Sequence, residues 1–369
     1  MNQSTYILFI LLLTIGISCQ PSSDSQQSAP EEGTENDDSL RYAGEKHLKN
    51  IRQLTFGGDN AEAYFSFDNK YLTLQRAQKS AGIPCDQIYT AAIPQADEAF
   101  DMKLVSTGKG RTTCSFFMPG DERIIFASTH LAGDECPPEP DRAKIRKYVW
   151  PIYGSFEIFI SDKDGGNIVQ ITDNDSYDAE ATVSPNLDKI VFTSTRNGDL
   201  DLYTMDMDGS NIQQVTDGLG YDGGAFFSPD GKQLIFRASR PSTPEAQKEY
   251  KDLLEQGLVA PTNMELYICN IDGSDLKKIT DLGKANWAPY FHPSGEKIIF
   301  SSNHASESGR LFNLYMINKD GSGLERVTHD TEFDSFPMFS YDGKKIVFSS
   351  NRNNGDTRET NVFIADWVN

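Results

Sequence analysis

Residues 225–236 read AFFSPDGKQLIF, a stretch that predicts two β-strands joined by a tight turn. Pro229 fixes the φ angle at the start of the turn, Asp230 can accept hydrogen bonds from nearby backbone N–H groups, and Gly231 takes the positive φ that closes it. Aromatic and aliphatic residues fill both flanks at strand length. We therefore expect a β-hairpin here, and most of the chain repeats it.

Five further stretches follow the same pattern of strand, turn and strand. They cover residues 65–74, 117–126, 183–192, 291–300 and 339–348. The copies end 44 to 52 residues apart, with two longer steps of 64 and 66 residues. This period is typical of β-propellers, in which each repeat forms one four-stranded blade. The sequence therefore predicts an all-β fold, a six-bladed propeller of four-stranded blades.

The closure of the ring can also be predicted from the repeat. We label the strands of each blade A to D from the centre outward, and the Asp-Gly turn at Asp208-Gly209 is a hairpin signal between strands C and D. Strand D, expected over residues 211–216 in the third unit, ends in an apolar-Thr pair such as Val215-Thr216. One such pair comes before the first strand A, and the last strand C has no strand D after it. Residues 51–55 are therefore expected to pair with residues 361–367 and close the ring.

These motifs together resemble a known family. Pro-Asp-Gly turns, Asp-x-Asp-Gly turns and apolar-Thr pairs in series are similar to the periplasmic Tol-type propellers of the WD40-like PD40 repeat family. The resemblance covers residues 51–367 and implies the propeller fold, whereas its motifs are weak evidence of function. Tol-type proteins carry an additional α/β domain before the propeller, and residues 19–50 are expected to be too short and too polar to form it.

The N-terminal residues have the pattern of a targeting segment. Residues 6–17 are apolar over a length typical of a signal peptide, and small residues precede Cys19. We expect a signal peptide over residues 1–18, lipidation of Cys19, a disordered tether over residues 19–45 and the propeller over residues 46–369. Cleavage by a general signal peptidase is the alternative. The expected location is the bacterial cell envelope, with the lipid anchor holding the protein at a periplasmic or outer-membrane surface.

The composition bears on the kind of partner. The chain has 369 residues and a net charge of −20, which argues against nucleic acid and against an anionic membrane surface as partners. Cationic partners or metal ions are favoured instead. Apart from the lipid anchor, we expect a monomer that binds a protein partner in the envelope.

Two insertions interrupt the repeat between strands B and C, over residues 130–155 and 240–263. The second is expected to contain a helix that begins after Thr243 and stops near Gly257. Both insertions should lie on the face formed by the B–C and D–A loops, where they form a working surface or only a lid over apolar loop ends. Cys85 and Cys136 are expected to come together as a disulfide, with Cys114 and Cys269 free.

Strand A lines the channel of a propeller, so equivalent positions on it form rings. Six residues before the Ser position of each turn the residues are Asn60, Thr112, Asp178, Asp222, Asn286 and Asp334. Two residues later they are Glu62, Cys114, Glu180, Gly224, Ala288 and Phe336. Carboxylates gathered at one mouth favour a hard cation, so Asp178, Asp222 and Asp334 are candidate ligands for Ca²⁺. The alternative is that each Asp or Asn bonds its own loop backbone.

The functional expectation is a binding protein. Neither a Gly-x-Ser-x-Gly nor a His-Glu-x-x-His motif occurs in the sequence, so catalysis stays uncertain and is not favoured. We expect a non-catalytic scaffold of the envelope that docks a protein partner or ligand on the B–C and D–A loop face. The candidate binding residues are Asp178, Glu180, Asp222, Asp334, Asn60, Asn286, Arg111 and Arg196. The alternative is a glycan- or peptide-acting enzyme, or its accessory, with a cation-bound acidic site at the channel mouth.

Overall fold

The computed structural model describes residues 39–95, 98–331, 333–355 and 357–369. Within these residues no helix has the length and apolar character needed to cross a membrane. The predicted signal peptide, the Cys19 lipidation site and most of the predicted tether lie outside the described residues.

The fold is the predicted six-bladed propeller, and every blade is an antiparallel four-stranded sheet. Strands A to D of blade 1 are Asp59–Phe65, Tyr71–Gln78, Ile83–Ala92 and Lys103–Leu104. Those of blade 2 are Thr112–Phe117, Arg123–Ser128, Glu157–Asp162 and Val169–Gln170. Those of blade 3 are Asp178–Val183, Lys189–Ser194, Asp201–Asp206 and Gln213–Gln214.

The second half of the ring has the same plan. Strands A to D of blade 4 are Asp222–Phe227, Gln233–Ser239, Met264–Asn270 and Lys277–Lys278. Those of blade 5 are Asn286–Phe291, Lys297–Ser302, Asn313–Asn318 and Glu325–Arg326. Strands A to C of blade 6 are Asp334–Phe339, Lys345–Ser350 and Asn361–Trp367.

The N-terminal strand Leu48–Gln53 supplies strand D of blade 6 and closes the ring. It pairs antiparallel with Asn361–Trp367, with Leu48 opposite Trp367. His47 reinforces this junction, because its Nδ1 lies 2.7 Å from the Val368 carbonyl oxygen and its ring stacks on Trp367. The predicted closure is confirmed, with the strand beginning three residues earlier than expected.

The A–B turns have the side-chain contacts that their sequence predicts. In blade 4 the Ser228 hydroxyl donates to Asp230 Oδ1 at 2.7 Å and accepts the Gln233 N–H at 2.9 Å. Gly231 has φ +70°, and its N–H donates to the Ser228 carbonyl at 2.8 Å. Serine at the first turn position and aspartate at the third therefore hold both ends of the turn.

Strand D is shorter than predicted in blades 1 to 5, with only two residues in each. The apolar-Thr pair that follows it explains the difference. In blade 5 the Val327 N–H bonds the Leu314 carbonyl at 2.8 Å, and the Thr328 hydroxyl then accepts the Leu314 N–H at 2.8 Å. A side chain thus replaces the next ladder bond. The equivalent acceptors in the other blades are Thr55, Ser106, Thr172, Thr216 and Thr280.

The two insertions form a cap over one face of the ring. The helix Pro244–Leu254 begins at Thr243, whose hydroxyl accepts the Ala246 N–H at 3.2 Å. The short strands Trp150–Pro151 and Leu258–Val259 pair and join the two insertions. The first insertion also contains a single helical turn, Arg142–Ile145, and a 3-10 turn, Lys79–Ala81, lies in blade 1.

Candidate functional site

The acidic and amide residues that begin each strand A are buried within the blades. Asp178, Asp222 and Asp334 are all 0% exposed. Arg196 donates to Asp178 at 2.7 Å, Arg240 donates to Asp222 at 2.9 Å, and Arg352 donates to both oxygens of Asp334 at 3.2 Å. The expectation that the three aspartates share one open mouth is therefore wrong, because each carboxylate is buried and paired with an arginine of its own blade.

Asn60 and Asn286 are structural in the same way. Asn60 Nδ2 donates to the Gly57 carbonyl at 3.0 Å, and Asn286 Nδ2 donates to the Met264 carbonyl at 2.9 Å. Among the described residues, no group of three or more His, Cys, Asp or Glu side chains is placed to hold a metal ion. The Ca²⁺ hypothesis thus gains no ligand set from this geometry, and it stays a prediction.

The second ring of strand A positions has one backbone conformation in all six blades. Each strand A contains a β-bulge, and the bulged residue has a positive φ between 45° and 59°. The bulge turns its side chain away from the sheet ladder and toward the channel. We call these positions the bulge ring, and its members are Glu62, Cys114, Glu180, Gly224, Ala288 and Phe336.

The bulge ring forms the wall of a pocket of about 410 Å³ in the channel. The pocket is closed below, because the rings of Tyr64, Phe116 and Phe226 pack with centroids 5.5 to 6.2 Å apart. Trp150 and other residues of the first insertion line it above. The channel therefore ends in a blind, capped pocket at this level.

An arginine held by a carboxylate lies on one side of the pocket. Arg237 pairs with Glu180, and the Tyr221 hydroxyl donates to Glu180 Oε1 at 2.8 Å. Thr193 and the Gly224 N–H donate to the other oxygen of Glu180 at 2.7 and 2.9 Å. Burial alone would raise the pKa of Glu180, but Arg237 and these hydrogen bonds lower it, so the carboxylate is ionised.

Gly224 is the bulge residue that makes room for this pair. A Cβ atom at Gly224 would lie 1.8 Å from Arg237 Nη1, and its φ is +58°. In blade 4 the guanidinium therefore takes the place that a bulge side chain occupies in the other blades. Arg237 is 7% exposed, and its buried Nε has no hydrogen-bond partner among the described residues.

Glu62 lies in the same pocket with a different environment. Among the described residues it makes no ion pair with Lys, Arg or His, and the Cys114 thiol is the neighbouring side chain that acts most on its pKa. Burial raises the pKa of Glu62 to about 7, the Cys114 contact opposes the shift, and the negative charge of Glu180 adds to it. This carboxyl thus holds its proton to a higher pH than an ordinary glutamate does.

The cap is fixed to the ring at several points. Tyr250 of the cap helix donates to Asp199 in blade 3, and Trp287 Nε1 donates to the Pro261 carbonyl at 3.0 Å. Cys85 and Cys136 form a disulfide bond between blade 1 and the first insertion, with Cα atoms 6.0 Å apart. Cys114 and Cys269 are free thiols.

Of the eight candidate binding residues, only Glu180 and Arg111 line the pocket. Arg111 lies at its edge, where it pairs with Glu139 and is 4.0 Å from Asp86. Arg196 packs instead against Phe192 and Tyr203, away from the pocket. Several other lining residues are not among the sequence-based candidates, and they include Glu62, Tyr221, Trp150 and Trp287. The sequence signal that points to Glu62 is its position in the repeat, which is equivalent to that of Glu180.

The fold and the site define a class of protein: a six-bladed propeller with a capped, blind pocket at one end of its channel. The chain belongs to the PD40 family, TolB beta propeller domain, whose family model matches residues 140–248 and 258–358, more than half of the sequence.

Solved structures are similar to this chain in fold. A putative TolB from Agrobacterium tumefaciens is 19% identical, with 86% of this chain and 97% of that chain covered and a TM-score of 0.58. TolB from Acinetobacter baumannii is 17% identical, with 84% of this chain covered and a TM-score of 0.50. This chain spans 63% of the Acinetobacter protein. No curated protein matches the sequence.

Proposed function

We propose that this protein is a binding propeller of the cell envelope, which docks a protein partner on its capped face and takes one group of that partner into the pocket. The observation that carries this proposal is the bulge ring. Five of its six members are not glycine, yet all have positive φ. Left-handed backbone costs about 1–2 kcal/mol per residue for ordinary amino acids. Strain of this kind concentrates at functional sites.

The surroundings of the pocket support docking of a larger partner. A groove of about 1040 Å³ runs between the two insertions and adjoins the pocket at Pro151, Ile152 and Tyr153, which line both. Its rim carries charges of both signs, such as Lys144 and Asp252. A partner segment lying in this groove would have a route to the pocket.

The envelope location is part of the proposal. It is supported by the signal-like residues 1–18, by the lipidation expected at Cys19 and by the Cys85–Cys136 disulfide, which an oxidising compartment favours. Similarity in fold to TolB proteins is consistent with this assignment.

Photo-crosslinking in the native envelope tests the proposal. A photoreactive residue at position 148 would lie at the pocket, where Tyr148 is 50% exposed. The control position is Lys232, an exposed residue in an A–B turn on the opposite face. We expect one protein to be captured from position 148 and none from position 232. Equal capture from both positions, or none from either, would contradict the docking proposal.

A second candidate function rests on Glu62. A pocket carboxyl with a pKa near 7 suits general acid–base catalysis, which favours a glycan- or peptide-acting enzyme as the alternative. Hydrolysis of an envelope glycan or peptide by the purified protein, lost in Glu62→Gln, would support this alternative. Turnover unchanged in Glu62→Gln would remove Glu62 as its catalytic group.

A further inference from the structure

We propose that the pocket recognises a positively charged nitrogen, an ammonium or guanidinium group, which pairs with Glu62 against the aromatic wall. This inference deepens the proposed function and rests on it, because it names the group that the partner inserts. We expect the cation to be a side chain of that partner, and a free small amine is the other source of the same chemistry, which the experiment below separates.

The charge balance of the pocket favours a cation. Its ionisable lining includes Glu62, Asp59, Asp86 and Glu180 on the acidic side and two arginines on the basic side. Both arginines already have carboxylate partners, since Arg237 pairs with Glu180 and Arg111 pairs with Glu139. Arg111 also lies 4.0 Å from Asp86, so Glu62 and Asp59 are the acidic lining residues that have no arginine partner among the described residues. Their charge remains for a ligand to neutralise.

Glu62 is the member of this lining best placed to bind the ligand. It belongs to the bulge ring, so its side chain projects into the channel rather than into a blade. The titratable groups acting on it are Cys114, Glu180, Arg237 and Asp86. Arg237 is committed to Glu180, so a ligand cation would be the direct ion-pair partner that Glu62 lacks among the described residues.

The aromatic residues of the pocket wall also favour a cation. Trp150, Trp287, Phe333, Phe336 and Tyr148 all line it. The wall already accommodates one guanidinium, because Arg237 lies 5.5 Å from the Trp150 ring and 4.9 Å from the Tyr221 ring. Aromatic faces attract ammonium and guanidinium groups most strongly where water is excluded.

The charge on Glu62 gives the inference a pH signature. Only the ionised carboxylate attracts a cation, and burial raises the pKa of this group to about 7. Lysine-type amines stay protonated up to about pH 10. Affinity for the cation should therefore rise as the pH increases from about 6 to about 8, through the pKa of Glu62.

The three tryptophans provide the readout. Trp150 and Trp287 line the pocket, whereas Trp367 packs at the ring closure. Their indole N–H signals can be followed by NMR during titration with three probes. Nα-acetyl-lysine methylamide is a blocked amino acid with a free side-chain ammonium, and cadaverine is the free amine. Nα-acetyl-norleucine methylamide is the neutral probe. We expect both cationic probes to shift the Trp150 and Trp287 signals and to leave Trp367 unchanged. Tighter binding of the blocked lysine would indicate a peptide source, and tighter binding of cadaverine a free amine.

Two variants decide the role of Glu62. Glu62→Gln should weaken binding of the cationic probes at least tenfold and remove the pH dependence, whereas Glu122→Gln, at an exposed site in an A–B turn, should change neither. Equal shifts with the neutral probe, wild-type affinity in Glu62→Gln, or no shift with any probe would overturn the inference. Capture of a partner from position 148 alongside any of these results would leave the proposed function intact, so the two failures are distinguishable.

Discussion

Gly224 shows how one residue shapes the pocket. Replacement by alanine keeps the strained φ of +58° and adds a Cβ 1.8 Å from Arg237 Nη1, and Arg237 cannot move freely because Glu180 and Tyr221 hold it. We expect Gly224→Ala to lower the free energy of unfolding by roughly 1–3 kcal/mol more than Gly198→Ala. Gly198 also has positive φ, but no atom lies within 4 Å of the position that an added Cβ would take. Urea denaturation of both variants measures the difference, and equal losses would contradict the steric account.

Asp201 gives a prediction for pH. Burial, followed by the charges of Asp199 and Asp222, raises its pKa to about 7, whereas an unfolded aspartate titrates near 3.9. The native state therefore binds the extra proton between these values, and the contribution of Asp201 to stability falls as the pH rises from about 4 to about 7. Asp201→Asn removes this loss, and blades 5 and 6 already carry Asn313 and Asn361 at the equivalent position.

The measurement is urea denaturation at pH 5 and at pH 8. The gain in unfolding free energy of Asp201→Asn over wild type should be larger at pH 8 than at pH 5. The control is Asp208→Asn, which removes the same charge at an exposed site where a serine contact lowers the pKa. If the unfolding free energy of Asp201→Asn depends on pH as that of wild type does, the pKa of Asp201 is not raised in the native state.

At the scale of the element, the Thr residue after each strand D acts as part of the sheet. Thr328 is 0% exposed and accepts the Leu314 N–H at 2.8 Å. Thr328→Val keeps the shape and leaves that N–H without an acceptor, so we expect a loss of about 1–3 kcal/mol in unfolding free energy. Thr331→Val, at an exposed site three residues further on, should cost far less. Thermal denaturation of both proteins checks this, and similar melting temperatures would count against the role of the hydroxyl.

The elements also show what the sequence could predict. Hairpin turns, blade number and ring closure follow from a repeat of local signals, because Pro, Asp and Gly act on the backbone next to them. The bulges do not, since a bulge is a mismatch between two strands and depends on their register. The pairing of Asp178, Asp222 and Asp334 was visible in principle, because an arginine follows strand B in these three blades. Blades 2 and 5 have His130 and His304 there, and in blade 1 the equivalent residue, Gln78, ends strand B.

At the scale of the whole molecule, the ring depends on the N-terminal strand that completes blade 6. Leu48 is 0% exposed and packs in a cluster that includes Phe339 and Trp367, whereas Lys49 points outward. Leu48→Ala should cost about 2–5 kcal/mol and promote aggregation through the opened edge. Lys49→Ala should remain a stable monomer. Light scattering during heating compares them, and a monomeric, fully stable Leu48→Ala protein would contradict the importance of this closure.

The capped pocket is the central claim, and one substitution can block it without new backbone strain. Ala288 belongs to the bulge ring with φ 45°, and blade 6 carries Phe336 at the equivalent position with φ 52°. Ala288→Phe should therefore fold normally and fill the pocket, while Ala288→Ser leaves it open. The measurement is the yield of partner captured from a photoreactive residue at position 148 in each protein. We predict that Ala288→Phe loses the captured partner and Ala288→Ser keeps it, whereas undiminished capture by a folded Ala288→Phe protein would show that the partner does not enter the pocket.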